Sequence, residues 1–446
     1  MKKTLLTILV LSVIISTVFS QETWTLERCI EYALANNIQV KQQELNVKVN
    51  EVNLLQSKME VLPTININGN HSYSFGLVTN YITNTKESLN TQASSFSIST
   101  GMPIFNGFQL TNTRKQNQFD LKASVADVDR VKNNIALTIA SLYLQILYQQ
   151  ELVEIAKRQF ELSKMQLART KVLVSAGSLP EGNLYEVEAL VASDELQLVN
   201  TQNQLNLSYL NLTQLLELKS PEGFQIAKPL IPAVDSVKLM SENLAQIFST
   251  AEVIMPQIQS AKYKLQSSEV GLKIAKGGLL PRLSLGANYN SGAQYRIQDN
   301  YDFTGDPFFT QIKNNASKSI GLSLSIPIFN GLSARSRVST ARIGLMNAQL
   351  ALESERNALY KEIQQAYADA IAAEKKLQAS LKSKTASEES FRYTQNKFNV
   401  GLVTALDFTS AKNKLAQAET DLLQAKYELI FKTKILEFYK GLPLKL

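Results

Sequence analysis

The stretch Lys318-Ser319-Ile320-Gly321-Leu322-Ser323-Leu324-Ser325-Ile326-Pro327-Ile328-Phe329-Asn330-Gly331 alternates strictly until its proline. Ile320, Leu322, Leu324 and Ile326 fall on one side; Ser319, Gly321, Ser323 and Ser325 fall on the other. A period of two predicts a strand over about 318–327. Three more segments read the same way: about 64–75 (Ile65, Ile67, Tyr73, Phe75), 94–103 (Phe96, Ile98, Met102) and 282–291 (Leu283, Leu285, Ala287, Tyr289). Their polar faces are nearly all Ser, Asn and Gly, almost without charge. A lipid-facing side opposite a small polar lumen accounts for that pattern, and strands of about ten residues cross a bilayer when tilted. A half-solvated sheet in a soluble protein shares the alternation; the export signal and long helices described below argue against it. Four strands cannot close a barrel, since about eight is the smallest common membrane barrel. Open edges in lipid would strand backbone groups at several kcal/mol each. The chain is therefore expected to oligomerise around an axis, as a dimer of eight strands, a trimer of twelve, or more.

Outward from the quoted stretch, Pro327-Ile328-Phe329-Asn330-Gly331 repeats Pro103-Ile104-Phe105-Asn106-Gly107 at an offset of 224 (327 − 103), and Gly177 and Gly401 keep that offset. Pro63 and Pro281 stand 218 apart (281 − 63), which places the six-residue difference (224 − 218) in a loop between Pro63 and Pro103. Two copies of one unit follow, 21–219 and 240–446. Between them 220–239, with Ser220-Pro221-Glu222-Gly223, Pro229 and Pro232, reads as a linker. Each unit runs helix, strand pair, very long helix, sharp turn, helix. Thr25 is the predicted N-cap of the first helix, with Arg28 where a capping box would put Glu; that helix is expected to run towards Leu62. The longest helix of the first unit, Phe108 to Ala176, contains no Pro or Gly and spaces Leu121, Val125, Val128, Ile135, Ile139, Leu142, Ile146 and Val153 largely by threes and fours. At 1.5 Å per residue it would span about 100 Å, so a coiled-coil-like rod is predicted. A return helix is expected over about Leu184–Leu218, and the second unit repeats the reversal around Gly401.

Residues 1–20 read as a secretory signal: Lys2 and Lys3, an apolar run from Leu5 to Ile15, and small Val18 and Ser20 before a cut at Gln21. No Cys follows at the cut, so no lipid anchor is predicted. Beyond the signal no apolar run reaches about 18 residues, which removes a spanning helix but not a barrel. Lys plus Arg exceed the acids by seven (46 − 39), spread along the chain, which argues against a nucleic-acid footprint. One cysteine, Cys29, excludes an intrachain disulfide, and it sits on an apolar helical face where packing explains it. One histidine, His71, leaves no His-based metal site and no Ser-His or Cys-His pair. His71 falls on an apolar strand face, as a rim residue or a break in alternation, and Tyr73, Phe75 and Tyr289 suit an interfacial aromatic girdle. No catalytic constellation or cofactor is predicted.

These residues resemble the TolC family of outer-membrane efflux proteins. The opening Trp24-Thr25-Leu26-Glu27-Arg28-Cys29-Ile30-Glu31-Tyr32-Ala33-Leu34-Ala35-Asn36-Asn37 is similar to that family's mature start, Pro-Ile-Phe-Asn-Gly to its barrel-to-helix junction, and Phe398-Asn399-Val400-Gly401-Leu402-Val403-Thr404 to its hairpin tip. The resemblance covers essentially the whole mature chain. It implies an α+β membrane protein: a homotrimer with a twelve-stranded barrel in the outer-membrane lipid, joined to an antiparallel coiled-coil tunnel that crosses the periplasm. It also implies an export channel served by a periplasmic adaptor (membrane fusion) protein and an inner-membrane transporter. The linker would lie in an equatorial belt. Gly177, Ser178, Leu179 and Pro180 in the first unit, and Gly401, Leu402, Val403 and Thr404 in the second, match the tips that meet the adaptor. At the periplasmic constriction the family's acidic pair falls on Asp407 and, by departure, Ser410. The corresponding acidic position in the first unit is Asn183, and the bulky aromatic is Phe398. One ring of carboxylates would remain, and cation affinity would be weaker. As a plain reading, Asp407 is a first-turn residue favoured by the helix dipole. A rival from another class is a non-conducting coiled-coil bridge or adaptor between two membranes. No Met or His cluster on the strands supports a metal path.

Overall fold

Thr25 opens the first helix, its hydroxyl accepting from the Arg28 N–H at 3.2 Å. In the computed structural model residues 23–80, 84–88, 90–229, 243–297, 303–304 and 306–446 are described. The expected signal segment 1–20 and linker residues 230–239 lie outside the described residues. The chain runs α1 (Leu26–Asn36), α2 (Ile38–Met59), β1 (Thr64–Ser74), β2 (Leu77–Asn80), β3 (Thr85–Ser88), β4 (Asn90–Phe105), α3 (Gln109–Ser175) and α4 (Gly182–Leu215). It continues with α5 (Leu244–Ile254), α6 (Pro256–Gly277), β5 (Arg282–Ile297), β6 (Phe303–Thr304), α7 (Phe308–Asn314), β7 (Ser317–Ser325), α8 (Ser333–Asn399) and α9 (Ala405–Tyr439). Corresponding helices agree in length: 11 residues in α1 and α5, 22 in α2 and α6, 67 in α3 and α8, and 34 and 35 in α4 and α9.

The first predicted helix is in fact two. Asn37 leaves helical geometry at φ −60°, ψ 133°. Its amide donates to the Leu215 carbonyl at 3.1 Å, and its oxygen accepts the Gln39 N–H at 2.9 Å. Side-chain bonds of Asn compete with the helical ladder in this way. Met255 breaks the second pair at φ −69°, ψ 126°, where Pro256 begins α6, the helix position at which a missing N–H costs nothing.

Packing divides the chain differently from the sequence repeats. A strand unit comprises Asn46–Val125 and Ser260–Glu353; a helical unit comprises the described residues of Met1–Leu45, Ala126–Gln259 and Ser354–Leu446. In the strand unit the four long strands form one antiparallel sheet in the order β1-β4-β5-β7, with Ile67 opposite Ile98, Ile98 opposite Tyr289, and Leu285 opposite Leu322. The period-two faces are kept across the sheet, and Ile65, Ile67, Phe96, Ile98, Ile320, Leu322 and Leu324 lie exposed on the apolar side. Three features between the long strands carry no strong pattern and were not expected: the hairpin β2–β3, the two-residue β6 and the short helix α7. α7 lies against β5, where Asn315 donates to the Gly292 carbonyl at 2.8 Å, the Gln294 N–H donates to Gln311 Oε1 at 2.9 Å, and Phe308 meets Phe96 edge-on. At the strand-to-helix junction Gly107, at φ +68°, leaves no room for a side chain: a Cβ there would stand 2.3 Å from the Gly277 carbonyl oxygen.

The helical unit has a continuous apolar core of Ile139, Ile146 and Leu147 from α3, Leu212 and Leu216 at the end of α4, Leu26, Cys29 and Ala33 from α1, and Leu423 and Ile430 from α9. Trp24 pairs with Ile226 as a parallel bridge, its N–H donating to Gln225 at 2.8 Å. The Tyr143 hydroxyl lies 3.0 Å from the Trp24 carbonyl and 2.6 Å from that of Ala227. Cys29 is buried, and burial pushes its thiol up to about 12, which makes it a packing residue with little thiolate to react.

Candidate functional site: the two helix reversals

Gly177 ends α3 and Gly401 ends α8, each left-handed at φ +71° and +77°. Glycine alone adopts this freely. In both, the glycine N–H and the next N–H turn back to the helix: Gly177 to Val174 and Ser178 to Leu173, both at 2.9 Å; Gly401 to Phe398 at 3.1 Å and Leu402 to Lys397 at 2.9 Å. These are Schellman closures, which satisfy the last carbonyls of each helix.

The two reversals then diverge. After Gly401, Thr404 caps α9. Its hydroxyl accepts the Asp407 N–H at 3.2 Å, and the Asp407 carboxylate accepts from the Thr404 N–H at 3.1 Å and from its hydroxyl at 2.7 Å. This is a complete capping box with Asp at its third position. The two donations from Thr404 hold the exposed Asp407 carboxyl below the usual carboxylate range. After Gly177, Pro180 occupies the place of Thr404 and offers no hydroxyl; the Asn183 N–H bonds the Pro180 carbonyl at 3.1 Å, and α4 starts without a side-chain cap. Ser178 and Pro180 are exposed and Leu179 is half-buried. Ser410 is exposed and one turn beyond Asp407, and Asn183 is half-buried on the other reversal. Phe398 stacks on Phe408 with centroids 4.9 Å apart, and Phe391 meets the same ring at 5.5 Å.

Three apolar residues stand exposed at the second reversal: Val400, Leu402 and Leu406; Val403 is half-buried beside them. Of these the sequence pattern singled out only Leu402 and Val403. Val400 lies within the quoted tip motif but was not among the docking residues, and Leu406 is marked by its exposure.

Ties between the two hairpins were also missed. Arg169 on α3 bonds the Asn399 carbonyl at 2.7 Å and its side-chain oxygen as well, closing the end of α8 from outside. Lys412 on α9, 1% exposed, pairs with Asp194 on α4 and donates to Ser163 on α3 at 2.8 Å. A buried lysine is tolerated only when paired and hydrogen-bonded. The place of Lys412 in the sequence gave no sign of it, because its two partners, Asp194 and Ser163, lie 218 and 249 residues away on other helix arms. On β1, His71 faces Ser94, Nδ1 to Oγ 2.8 Å. Among the described residues no helix is long and apolar enough to cross a membrane, and no group of His, Cys, Asp and Glu could hold a metal ion.

A sheet with one lipid-type face and two edges unpaired among the described residues, continuous with 67-residue helices that reverse on glycine, defines a channel-forming outer-membrane subunit. The profile of the outer membrane efflux protein family matches residues 29–217 and 248–435, and the chain belongs to that family. Toxin and drug export protein A of Aggregatibacter actinomycetemcomitans is 20% identical over 72% of this chain and 67% of its own length. The outer membrane protein TolC of Escherichia coli is 20% identical over 86% of this chain and 74% of its own. The solved structure of the outer membrane protein VceC from Vibrio cholerae superposes with a TM-score of 0.76 over 94% of this chain and 96% of that one, at 16% identity. The expected resemblance, fold class and outer-membrane location therefore hold, and the chain is an export channel subunit.

Proposed function

We propose that three copies close a twelve-stranded barrel, and that this channel is the outer component of a tripartite exporter fed by a periplasmic adaptor and an inner-membrane transporter. The observation that carries the reading is the four-stranded sheet whose outer edges, on β1 and β7, are both unpaired among the described residues. In lipid those edges must find partners. The reversals at Gly177–Pro180 and Gly401–Thr404 are the adaptor-docking tips, supported by the exposed Val400, Leu402 and Leu406, an apolar cluster of the kind that marks a protein contact. Asp407, with Phe398, Ser410 and Asn183 near the same reversals, forms the periplasmic constriction, with one carboxylate per copy.

Purified oligomer in a planar bilayer is expected to conduct ions, and an adaptor is expected to co-purify until Leu402 and Leu406 are both changed to Ser. An oligomer that never conducts would return the non-conducting bridge as the better reading.

A further inference from the structure

The motif Pro-Ile-Phe-Asn-Gly occurs twice with identical residues but two structures. In the first copy β4 runs on to Phe105, because Met102, Pro103 and Phe105 lie opposite Leu285, Ser284 and Leu283 of β5. In the second, β7 stops at Ser325, and among the described residues nothing pairs with Ile326 to Phe329. Exposure follows: Ile104 is 48% exposed but Ile328 94%, and Phe105 is half-buried while Phe329 is exposed. Identical sequence leaves a missing neighbour as the cause. The mirror deficit is on β1, where Ile65 and Ile67 are exposed while their repeat equivalents Leu283 and Leu285 are half-buried.

The repeat gives the missing neighbour its alignment. Moving β1 by 218 positions and β4 by 224 turns the pair Thr64–Gly101 into Arg282–Ser325, which is the pair observed between β5 and β7. The two halves thus keep one register. Applying the same shifts to the β4–β5 seam carries Gly101–Gly286 to Ser325–Asn68, Ser99–Asn288 to Ser323–Asn70, and Met102–Leu285 to Ile326–Ile67. The second member of each pair cannot be in the same chain, because β1 and β7 are opposite edges of one sheet.

We infer that β7 of one copy pairs antiparallel with β1 of a second copy in the register Ser325 opposite Asn68, and that this pairing extends β7 through Phe329. The inference rests on the proposed ring assembly and adds its alignment. The register keeps Ile326 beside Ile67 on the apolar face and Ser325 beside Asn68 on the polar face, whereas a slip of one residue would turn a strand's apolar set to the wrong side. Apolar residues left exposed on the flanking helices of the strand unit, Val49, Val52 and Leu55 on α2 and Ile343, Met346 and Leu350 on α8, continue the seam. It is not a perfect copy of the internal one. Where Gly277 lets Gly107 approach its backbone, the equivalent of Gly277 is Met59; its Cβ keeps Gly331 of the neighbour further away, so the helix junction between copies is looser than that within a chain.

Paired cysteines test the register in outer membranes carrying the full chain. Directly opposed residues bring Cβ atoms to about 4.5–5.5 Å, within a small shift of the roughly 3.5–4.5 Å that a disulfide needs, while a slip of two places them roughly 7–8 Å apart. Asn68→Cys with Ser325→Cys, and separately Asn70→Cys with Ser323→Cys, are expected to give oxidised dimers and covalent rings on denaturing gels at least about tenfold above Asn66→Cys/Ser325→Cys and Asn70→Cys/Ser325→Cys. The buried Cys29 stays silent, which single-cysteine controls check. Stronger cross-linking in either slipped pair overturns the register and leaves the ring standing. An oligomer that cross-links in none of the pairs also overturns it. A chain that is monomeric in every variant overturns the ring and the register together.

Discussion

Asp407 carries one observed contact and one proposed role in the same carboxylate. It completes the cap of α9 with Thr404, and the proposed channel places its charge at the constriction. Thr404→Ala removes the cap and keeps the charge; Asp407→Asn removes the charge. If the constriction reading holds, block of the bilayer current by a trivalent cation weakens several-fold in Asp407→Asn but stays near wild type in Thr404→Ala, while both lower the thermal stability of the second reversal, Thr404→Ala by about 1 kcal/mol. Equal block in Asp407→Asn and wild type would leave Asp407 as a cap alone. The pH dependence follows from the direction of its shift. Because the folded carboxyl titrates below its ordinary value of 3.8, its capping contribution is present above that value and is lost as pH falls through the lower folded value. Cation block is therefore expected to be flat from about pH 8 down to about pH 5, since ordinary carboxylates are already ionised there. The sequence made Asp407 visible by its place after the tip; it did not show the Thr404 contacts as a capping box, and Pro180 in the matching place explains why the first reversal lacks one.

At the scale of elements, polar ties such as Arg158–Glu419, Lys376–Glu428 and Lys432–Asp369 join the helix arms, and the Lys412–Asp194–Ser163 group is the most buried of them. Removing one partner of a buried pair leaves the other charge uncompensated, so Lys412→Met is expected to destabilise the helical unit by about 3–5 kcal/mol. Replacing both charges, Lys412→Met with Asp194→Leu, is expected to recover most of that loss. Thermal unfolding followed by circular dichroism checks the pair; a double variant no better than the single would place the cost in packing around α9. The elements themselves were largely legible. The 3.6-residue spacing without Pro or Gly anticipated α3 to within a residue of its ends, and the alternation anticipated all four long strands. The break at Asn37 was not legible, since it depends on the Leu215 carbonyl 178 residues away. Neither was α7, whose seven residues are too short for periodicity to register and which is held by β5.

For the whole molecule the prediction is conduction. The purified oligomer in a planar bilayer should open an ion path, because four strands with two faces satisfy their edges only as a ring, whose inner face here is Ser, Asn and Gly. A stable monomer without current at any voltage would defeat both ring and channel. The linear sequence by itself determined which residues alternate, how long each arm is, and that the unit occurs twice, since periodicity and offset are properties of neighbours along the chain. Tertiary structure alone decided that Lys412 is buried, that Asp407 serves a cap, and that Pro327-Ile328-Phe329 stays unpaired while its twin Pro103-Ile104-Phe105 joins a strand. Those outcomes depend on what lies across from a residue in space, and for the last of them the proposed partner is a second copy of the chain.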